Sequence, residues 1–246
     1  MAKRKVSPVH EGFFNDGHWY VISSSSLGGS GLSADEIADK LQTEDDAVIN
    51  ELLREGICLP LYFGADCELD KVVFVEGVLN EQEEAEWIGR IRSKLTVPCG
   101  EIMLMGGGMP EDFEDALVNF EPPDPHYRYF HKIKVEPGTY LVEVYAFIGS
   151  YAVNEDWEEK NSDEFEQWWD ESRPGRKRAE WIECFREEEY VDGEDLELQE
   201  YIIRIAPLKE EVEIPALDED TKWVGDFEMR KPALCPLGLK SSMYRL

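Results

Sequence analysis

The stretch 129–148, YFHKIKVEPGTYLVEVYAFI, carries the strongest strand signal in the chain. Pro137 fixes φ at about −65° and Gly138 tolerates positive φ, as the two central positions of a type II turn require. The run after the turn is apolar on one face, and Glu143 is the one charged side chain on the other. We therefore predict a β-hairpin whose second strand is covered on both faces, between two layers.

Composition sets the class of protein. The 246 residues include 54 Asp and Glu against 25 Lys and Arg, which gives a formal net charge of −29. With 42% apolar and 11% aromatic residues the chain can bury a sizeable core, so global disorder is not expected. Direct binding to nucleic acid or an anionic membrane is disfavoured, because both attract positive charge. One explanation of the negative charge is solubility. The other is that the protein binds a basic partner or imitates a nucleic-acid backbone.

Cysteines and targeting segments indicate the compartment. The five cysteines form no CxxC pair and are odd in number, so neither a disulfide framework nor a zinc knuckle is predicted. No apolar segment follows the basic start MAKRKVSPVHEGFF, and no run reaches the length of about 18 apolar residues that spans a bilayer. We expect buried free thiols, a cytoplasmic location and no membrane association.

A helix pair is predicted at 34–54. Ser33 and Glu36 form a capping box, and Gly56 ends the second helix. With the apolar run that follows, the pair resembles a helix-turn-helix and the start of a wing. Eight acids against two bases in 33–56 would repel phosphates, so a packing or protein-binding role is favoured over DNA binding. A degenerate helix-turn-helix remains the alternative.

The other elements complete an α+β fold, with a mostly antiparallel, sandwich-like sheet and helices packed on it. Segment 1–32 is a strand near 18–22 and a flexible Ser/Gly loop, 33–150 is the core, and 151–246 packs on that core. A tail from residue 237 is expected to be loosely ordered. The remaining predictions are a strand pair at 59–63 and 71–78, a helix at 80–95 capped by Asn80, a strand at 101–105, a helix from Pro110, helices within 162–188, and a strand within 196–208.

A glycine run at 106–108 precedes the helix that Pro110 begins. A strand, a glycine loop and a helix N-terminus form the general layout of an anion site. However, Glu111 and Asp112 lie at the positive end of that helix and would compete with a bound phosphate. We favour a structural turn.

The segment 151–200 combines 19 acids and 6 bases with four tryptophans, Trp157, Trp168, Trp169 and Trp181. Aromatic side chains dominate the energetics of protein interfaces. We predict that these four residues bind a partner. In the alternative interpretation, the rings fill a core beneath a solvated acidic face.

The histidines are the places to look for a metal site. His10 and His18 bracket Glu11 and Asp16, and His126 and His131 follow Asp124. Either group holds two imidazoles and a carboxylate, which is a workable ligand set. Neither has a diagnostic spacing, and residues five apart in an extended segment point to opposite faces. Asp124, His126 and His131 are therefore weak metal candidates, and no cofactor is predicted.

The functional prediction is a non-catalytic interaction module, similar to an inhibitor or immunity protein, that binds a basic partner. The alternative is a metal-dependent or carboxylate-dependent enzyme, with Asp124, His126 and His131 as its site. The motif Val135-x-Pro-Gly-x-Tyr140-x-Val resembles strand–turn–strand units of many bacterial β-rich domains. That resemblance covers few residues and implies no function.

Overall fold

Two β-sheets share one buried core in this protein. The structure is a computed structural model, which describes residues 4–10, 12–13, 15, 17, 19–63, 71–107, 109–158, 160–188 and 196–245. Buried side chains from each of the three predicted segments belong to the same core. The predicted α+β class, with mostly antiparallel strands and helices packed on them, is confirmed.

The described strands form a five-stranded and a four-stranded sheet. The strands are β1 (Lys5–Pro8), β2 (Trp19–Ser24), β3 (Cys58–Tyr62), β4 (Val72–Glu76), β5 (Gly89–Val97), β6 (Glu101–Gly106), β7 (Phe130–Lys134), β8 (Gly138–Ala146) and β9 (Tyr201–Pro207). The larger sheet has the order β1-β4-β9-β8-β5, and the smaller has the order β3-β2-β6-β7. All neighbouring strands are antiparallel except β4 and β9, which are parallel.

Local capping signals set the start of several helices. The helices are α1 (Ala34–Leu41), α2 (Asp46–Glu55), α3 (Glu81–Glu86), α4 (Pro110–Val118), α5 (Tyr151–Asp156), α6 (Ser162–Ser172) and α7 (Glu180–Glu188). The capping boxes at Ser33 and Asn80 are both formed, and Gly56 ends α2 in the left-handed conformation, as predicted. None of the helices in the described residues is long and apolar enough to cross a membrane.

The predicted hairpin at 129–148 is wrong, although both of its strands exist. β7 pairs with β6 in the smaller sheet, whereas β8 lies between β5 and β9 in the larger one. The segment around Pro137 therefore carries the chain from one sheet to the other. Alternation identifies a strand but not its partner, and a strand apolar on both faces requires neighbours and layers that one hairpin cannot supply.

The predicted helix at 80–95 is correct only in its first turns. α3 ends at Glu86, and 89–97 form strand β5. Ile91, Leu95 and Val97 are buried on one face and alternate with less buried side chains on the other. The spacing of Ile91 and Leu95 fits both a helix and a strand, and the period-two burial shows which of the two is formed.

A further prediction for the first hundred residues is wrong. β3 and β4 do not pair, because β3 joins β2 while β4 lies between β1 and β9. The first part of the Ser/Gly stretch, 23–28, is held by strand pairing and local contacts. Ser23 and Ser24 belong to β2, the Ser24 hydroxyl accepts a hydrogen bond from the Gly28 N–H at 2.9 Å, and Leu27 is buried.

The end of the chain is anchored rather than loose. We call residues 208–245 the C-terminal strap. The carboxylate of Glu86 accepts hydrogen bonds from the N–H groups of Leu237 and Gly238 at 3.1 and 3.0 Å. The Tyr244 hydroxyl donates to the buried Glu83 carboxylate at 2.8 Å. Two buried carboxylates of α3 thus hold the end of the strap in place, which composition alone did not indicate.

The strap also pairs with an edge strand of each sheet. Val224 exchanges main-chain hydrogen bonds with Pro60 and Tyr62 of β3, at 3.0 and 2.9 Å. Glu228 exchanges them with Arg90 of β5, at 2.8 and 3.1 Å. Covering both edges removes unpaired strand groups that would otherwise attract another chain. It also places 218–223 beside the end of the smaller sheet.

We expect Tyr244→Phe to lower the free energy of unfolding by about 1–3 kcal/mol, because the buried Glu83 carboxylate loses a donor. Urea unfolding followed by tryptophan fluorescence measures the change. Met243→Leu, at an exposed neighbouring position, is the control and should stay within about 0.5 kcal/mol of the parent. Equal midpoints for Tyr244→Phe and the parent would contradict the anchor.

Candidate functional site

A cleft of about 850 Å³ opens at one end of the smaller sheet. Five separate parts of the chain form its walls. They are the start of β2, the loop after β6 with the first turn of α4, the turn between α1 and α2, the loop that carries Tyr127, and residues 220–223 of the strap. No single stretch of sequence could therefore reveal it.

The glycine loop after β6 forms one wall. The Gly106 N–H donates to the Tyr129 carbonyl and the Gly107 N–H donates to the Trp19 carbonyl, both at 2.7 Å. Gly107 has φ of 96°, and a side chain there would place its Cβ 3.0 Å from the Asp112 carboxylate. The loop is thus held against β2, and Asp112 lies directly over it.

The first turn of α4 presents its own carboxylates to the cleft. Pro110 occupies the first helical position, and the Met109 N–H hydrogen-bonds to the Asp112 carboxylate. Glu111 lies beside it at the positive end of the helix. These groups occupy the position at which an anion would bind, so this wall of the cleft offers an anion no unoccupied helix N-terminus.

Negative charge dominates the cleft. The carboxylates in its lining are Glu44, Glu111, Asp112 and Asp220. Lys222 is the one lysine or arginine among the described lining residues, and its ammonium lies 3.3 Å from the Asp46 carboxylate. Burial raises the pKa of Asp112, and the charges of Glu111 and Asp115 raise it further, against the Met109 hydrogen bond. A cation entering the cleft would relieve this repulsion.

Aromatic rings give the cleft an apolar lining. Trp19 packs edge-on against Trp223, with ring centroids 4.5 Å apart. The Trp223 indole N–H donates to the Leu41 carbonyl at 2.8 Å, which fixes that ring at the base. Tyr127 and Met109 lie at the rim and are 42% and 55% exposed. Apolar and acidic groups therefore face the same space.

The surface beside the cleft has the same character. Residues 109–127, which we call the α4 face, contain six acids and no lysine or arginine. Within the described chain this face also carries several exposed apolar side chains, Met109, Val118, Phe120 and Tyr127. The sequence did contain a signal for this surface, namely the absence of bases before Arg128 next to a glycine loop.

The four tryptophans predicted to bind a partner are buried. Trp157, Trp168, Trp169 and Trp181 are at most 9% exposed. Trp157 and Trp181 have ring centroids 5.8 Å apart, and Phe165 contacts both rings. This placement matches the alternative interpretation, in which the rings fill a core beneath an acidic face. Trp157 and Trp168 also line a second, smaller cleft, so a role in binding stays a prediction for them.

The weak metal candidates do not form one cluster. Asp124 and His126 are exposed, and the main-chain N–H of His126 donates to the Asp124 carboxylate at 2.8 Å in a local turn. His131 is buried in β7. In the parts of the chain that the structure describes, no group of three His, Cys, Asp or Glu side chains is arranged to hold a metal ion. His18, Glu11 and Asp16 lie outside the described residues.

His131 instead meets His10. Their rings are edge-to-face with centroids 4.3 Å apart, and Phe74 stacks on His131 from β4. Neither ring nitrogen of His131 has a hydrogen-bond partner among the described residues. Burial, with a smaller effect of His10, lowers the pKa of His131 from 6.5 to about 3. The neutral imidazole therefore acts as a core side chain.

The comparisons with known proteins give no family. No protein-family model and no curated protein matches the chain. A solved structure described as "Crocagin biosynthetic gene J" is similar over 84% of this chain and 96% of that chain, with 13% sequence identity and a TM-score of 0.39. Similarity at this level supports no conclusion about function.

We expect mild acid to destabilise the fold through His131. Between pH 6.5 and about 3 the unfolded chain binds a proton at this residue and the folded chain does not, so unfolding becomes easier as pH falls. From pH 7.5 to 5.5 this contributes a loss of about 1.4 kcal/mol. Urea unfolding at the two pH values should show a smaller loss for His131→Phe than for the parent. His126→Phe, at an exposed site, should keep the parent's dependence, and an unchanged loss in His131→Phe would refute the assignment.

Proposed function

We propose that the protein is a non-catalytic interaction module that binds a basic protein partner through the acidic cleft and the α4 face. The observation that carries this proposal is the composition of the cleft. Among its described lining residues, four carboxylates lie beside exposed aromatic and apolar side chains, and the one lysine, Lys222, is already paired with Asp46. A surface of this kind favours positive charge attached to an apolar stem.

An arginine or lysine side chain satisfies both halves of the cleft. Its methylene groups can pack on Trp19 and Tyr127 while its charged end meets Asp112 or Glu111. The large aromatic rings supply contact area, and the carboxylates supply orientation. A cation beside the half-buried Asp112 stabilises its charged form, which burial and the nearby charges of Glu111 and Asp115 disfavour.

The charge of the whole chain supports the same class of partner. A net charge of −29 attracts a basic protein over a distance of about a Debye length, so association should be fast and sensitive to salt. Tight, charge-steered binding of a basic protein is the mode of an inhibitor or immunity protein. This role differs from the sequence-based prediction in its location, since the surface lies on α4 and the cleft rather than on 151–200.

A reducing compartment is part of the proposal. Three of the described cysteines, Cys58, Cys99 and Cys235, are free thiols. Burial raises the pKa of Cys58 and of Cys235 to about 12, which keeps both as unreactive thiols. Free thiols of this kind support the cytoplasm as the place where the partner is met.

We expect Glu111→Gln to weaken binding of a basic probe by about fivefold and Tyr127→Ala by about tenfold. Titration calorimetry with nona-arginine measures both affinities, and affinity capture from cell extract at about 50 mM and about 300 mM salt identifies the natural partner for the same measurement. A retained partner should be released at the higher salt concentration.

The matched control is Glu81→Gln, an exposed carboxylate of α3 that lies outside both the cleft and the α4 face. It changes the net charge by the same amount as Glu111→Gln, so a difference between the two variants reports the cleft and not the overall field. Equal affinity for both variants, together with an unchanged Tyr127→Ala, would rule out the cleft as the binding site.

A further inference from the structure

We propose a second binding site, for a small aryl carboxylate, in the cleft between α5, α6 and the strap. This site is separate from the acidic cleft. Its ligand is an anion, whereas the acidic cleft is proposed to bind a cationic side chain. The cleft has a volume of about 270 Å³, which suits one aromatic ring with a short acidic arm rather than a peptide or a nucleotide.

Aromatic rings form the floor of this cleft. Trp157 packs against Phe165 with centroids 4.7 Å apart and meets Trp168 edge-on at 6.4 Å. All three side chains are buried, so their positions are fixed by the core beneath them. A rigid floor of large rings favours a flat apolar ligand, which can stack without ordering any side chain of the protein.

The rim carries positive charge. The Lys160 ammonium lies 5.7 Å from the centre of the Trp157 ring, and the Lys231 ammonium lies 4.7 Å from the centre of the Trp168 ring. Arg230 lines the same cleft. Each lysine is therefore within reach of an acidic group on a ligand whose ring rests on the floor.

Of the three bases, Lys231 is the one best placed to bind the ligand, because Lys160 and Arg230 already have partners in the protein. Lys160 pairs with Asp156 at 3.1 Å, and the Arg230 guanidinium donates to the main-chain carbonyl of Trp87 at 2.8 Å. Lys231 makes no ion pair with any residue that the structure describes. An unpaired ammonium over a tryptophan face is the anchor that a carboxylate would use.

Charge complementarity selects an anion here. The chain carries 54 acids against 25 bases, and 151–200 holds 19 acids against 6 bases, yet three bases and two acids line this cleft among the residues that the structure describes. Of the two acids, Asp156 is paired with Lys160, and the Glu164 carboxylate accepts from the Asn161 amide at 3.1 Å. The cleft is thus a locally positive spot on an acidic surface.

Phenylacetate is the probe that tests this site, with neutral phenylacetamide as its matched comparison. Titration of the full chain, followed by tryptophan fluorescence and calorimetry, should show saturable binding of phenylacetate and binding about tenfold weaker for the amide. Lys231→Gln should weaken phenylacetate binding by about tenfold. Lys231→Arg keeps the charge and should restore most of the affinity.

Two controls separate this site from general electrostatics and from the acidic cleft. Lys177→Gln removes an exposed base elsewhere on the chain, and Glu111→Gln alters the acidic cleft; neither should change phenylacetate binding. Equal binding of the acid and the amide, no saturation at millimolar concentrations, or an unaffected Lys231→Gln would overturn the proposal. None of these results bears on the basic partner of the acidic cleft.

Discussion

Strand β8 is buried on both faces, and the rest of the structure is arranged to cover it. Its one charged side chain, Glu143, is 4% exposed and forms an ion pair with Arg204 of β9. The guanidinium of Arg90, on β5, lies 3.8 Å from the same carboxylate. A buried carboxylate is costly unless it is paired, so the two arginines are required on the strands that flank β8. The opposite face of β8 joins the core shared with the smaller sheet. Both layers follow from this one strand.

The strap is a consequence of that arrangement. β3 and β5 are edge strands of different sheets. The strap pairs with both of them and so connects the two sheets at these edges. The buried carboxylates Glu83 and Glu86 hold the end of the strap in place. Because the strap passes the end of the smaller sheet, Trp223 and its neighbours become a wall of the acidic cleft. Stability and the candidate site thus depend on the same segment.

Charge is distributed unevenly over the two clefts. The acidic cleft and the α4 face share Met109, Glu111, Asp112 and Tyr127, whereas Lys231 and Arg230 give the smaller cleft a positive rim. In a chain of net charge −29, a negative surface is the expected background and a positive rim is the exception. The apolar lining is what distinguishes the acidic cleft from that background, since solvated acids alone need no aromatic rings beside them.

Features that depend on neighbouring residues could be predicted from the sequence. The capping boxes at Ser33 and Asn80, the left-handed Gly56 and the two covered faces of β8 depend on near neighbours and on side-chain period, and all were predicted correctly. Strand partners, the conformation of 89–97 and the burial of the tryptophans depend on contacts between distant segments, which a pattern of period two or 3.6 does not encode. The acidic cleft is assembled from five such segments, and so only the folded chain brings Trp19, Asp112 and Trp223 together.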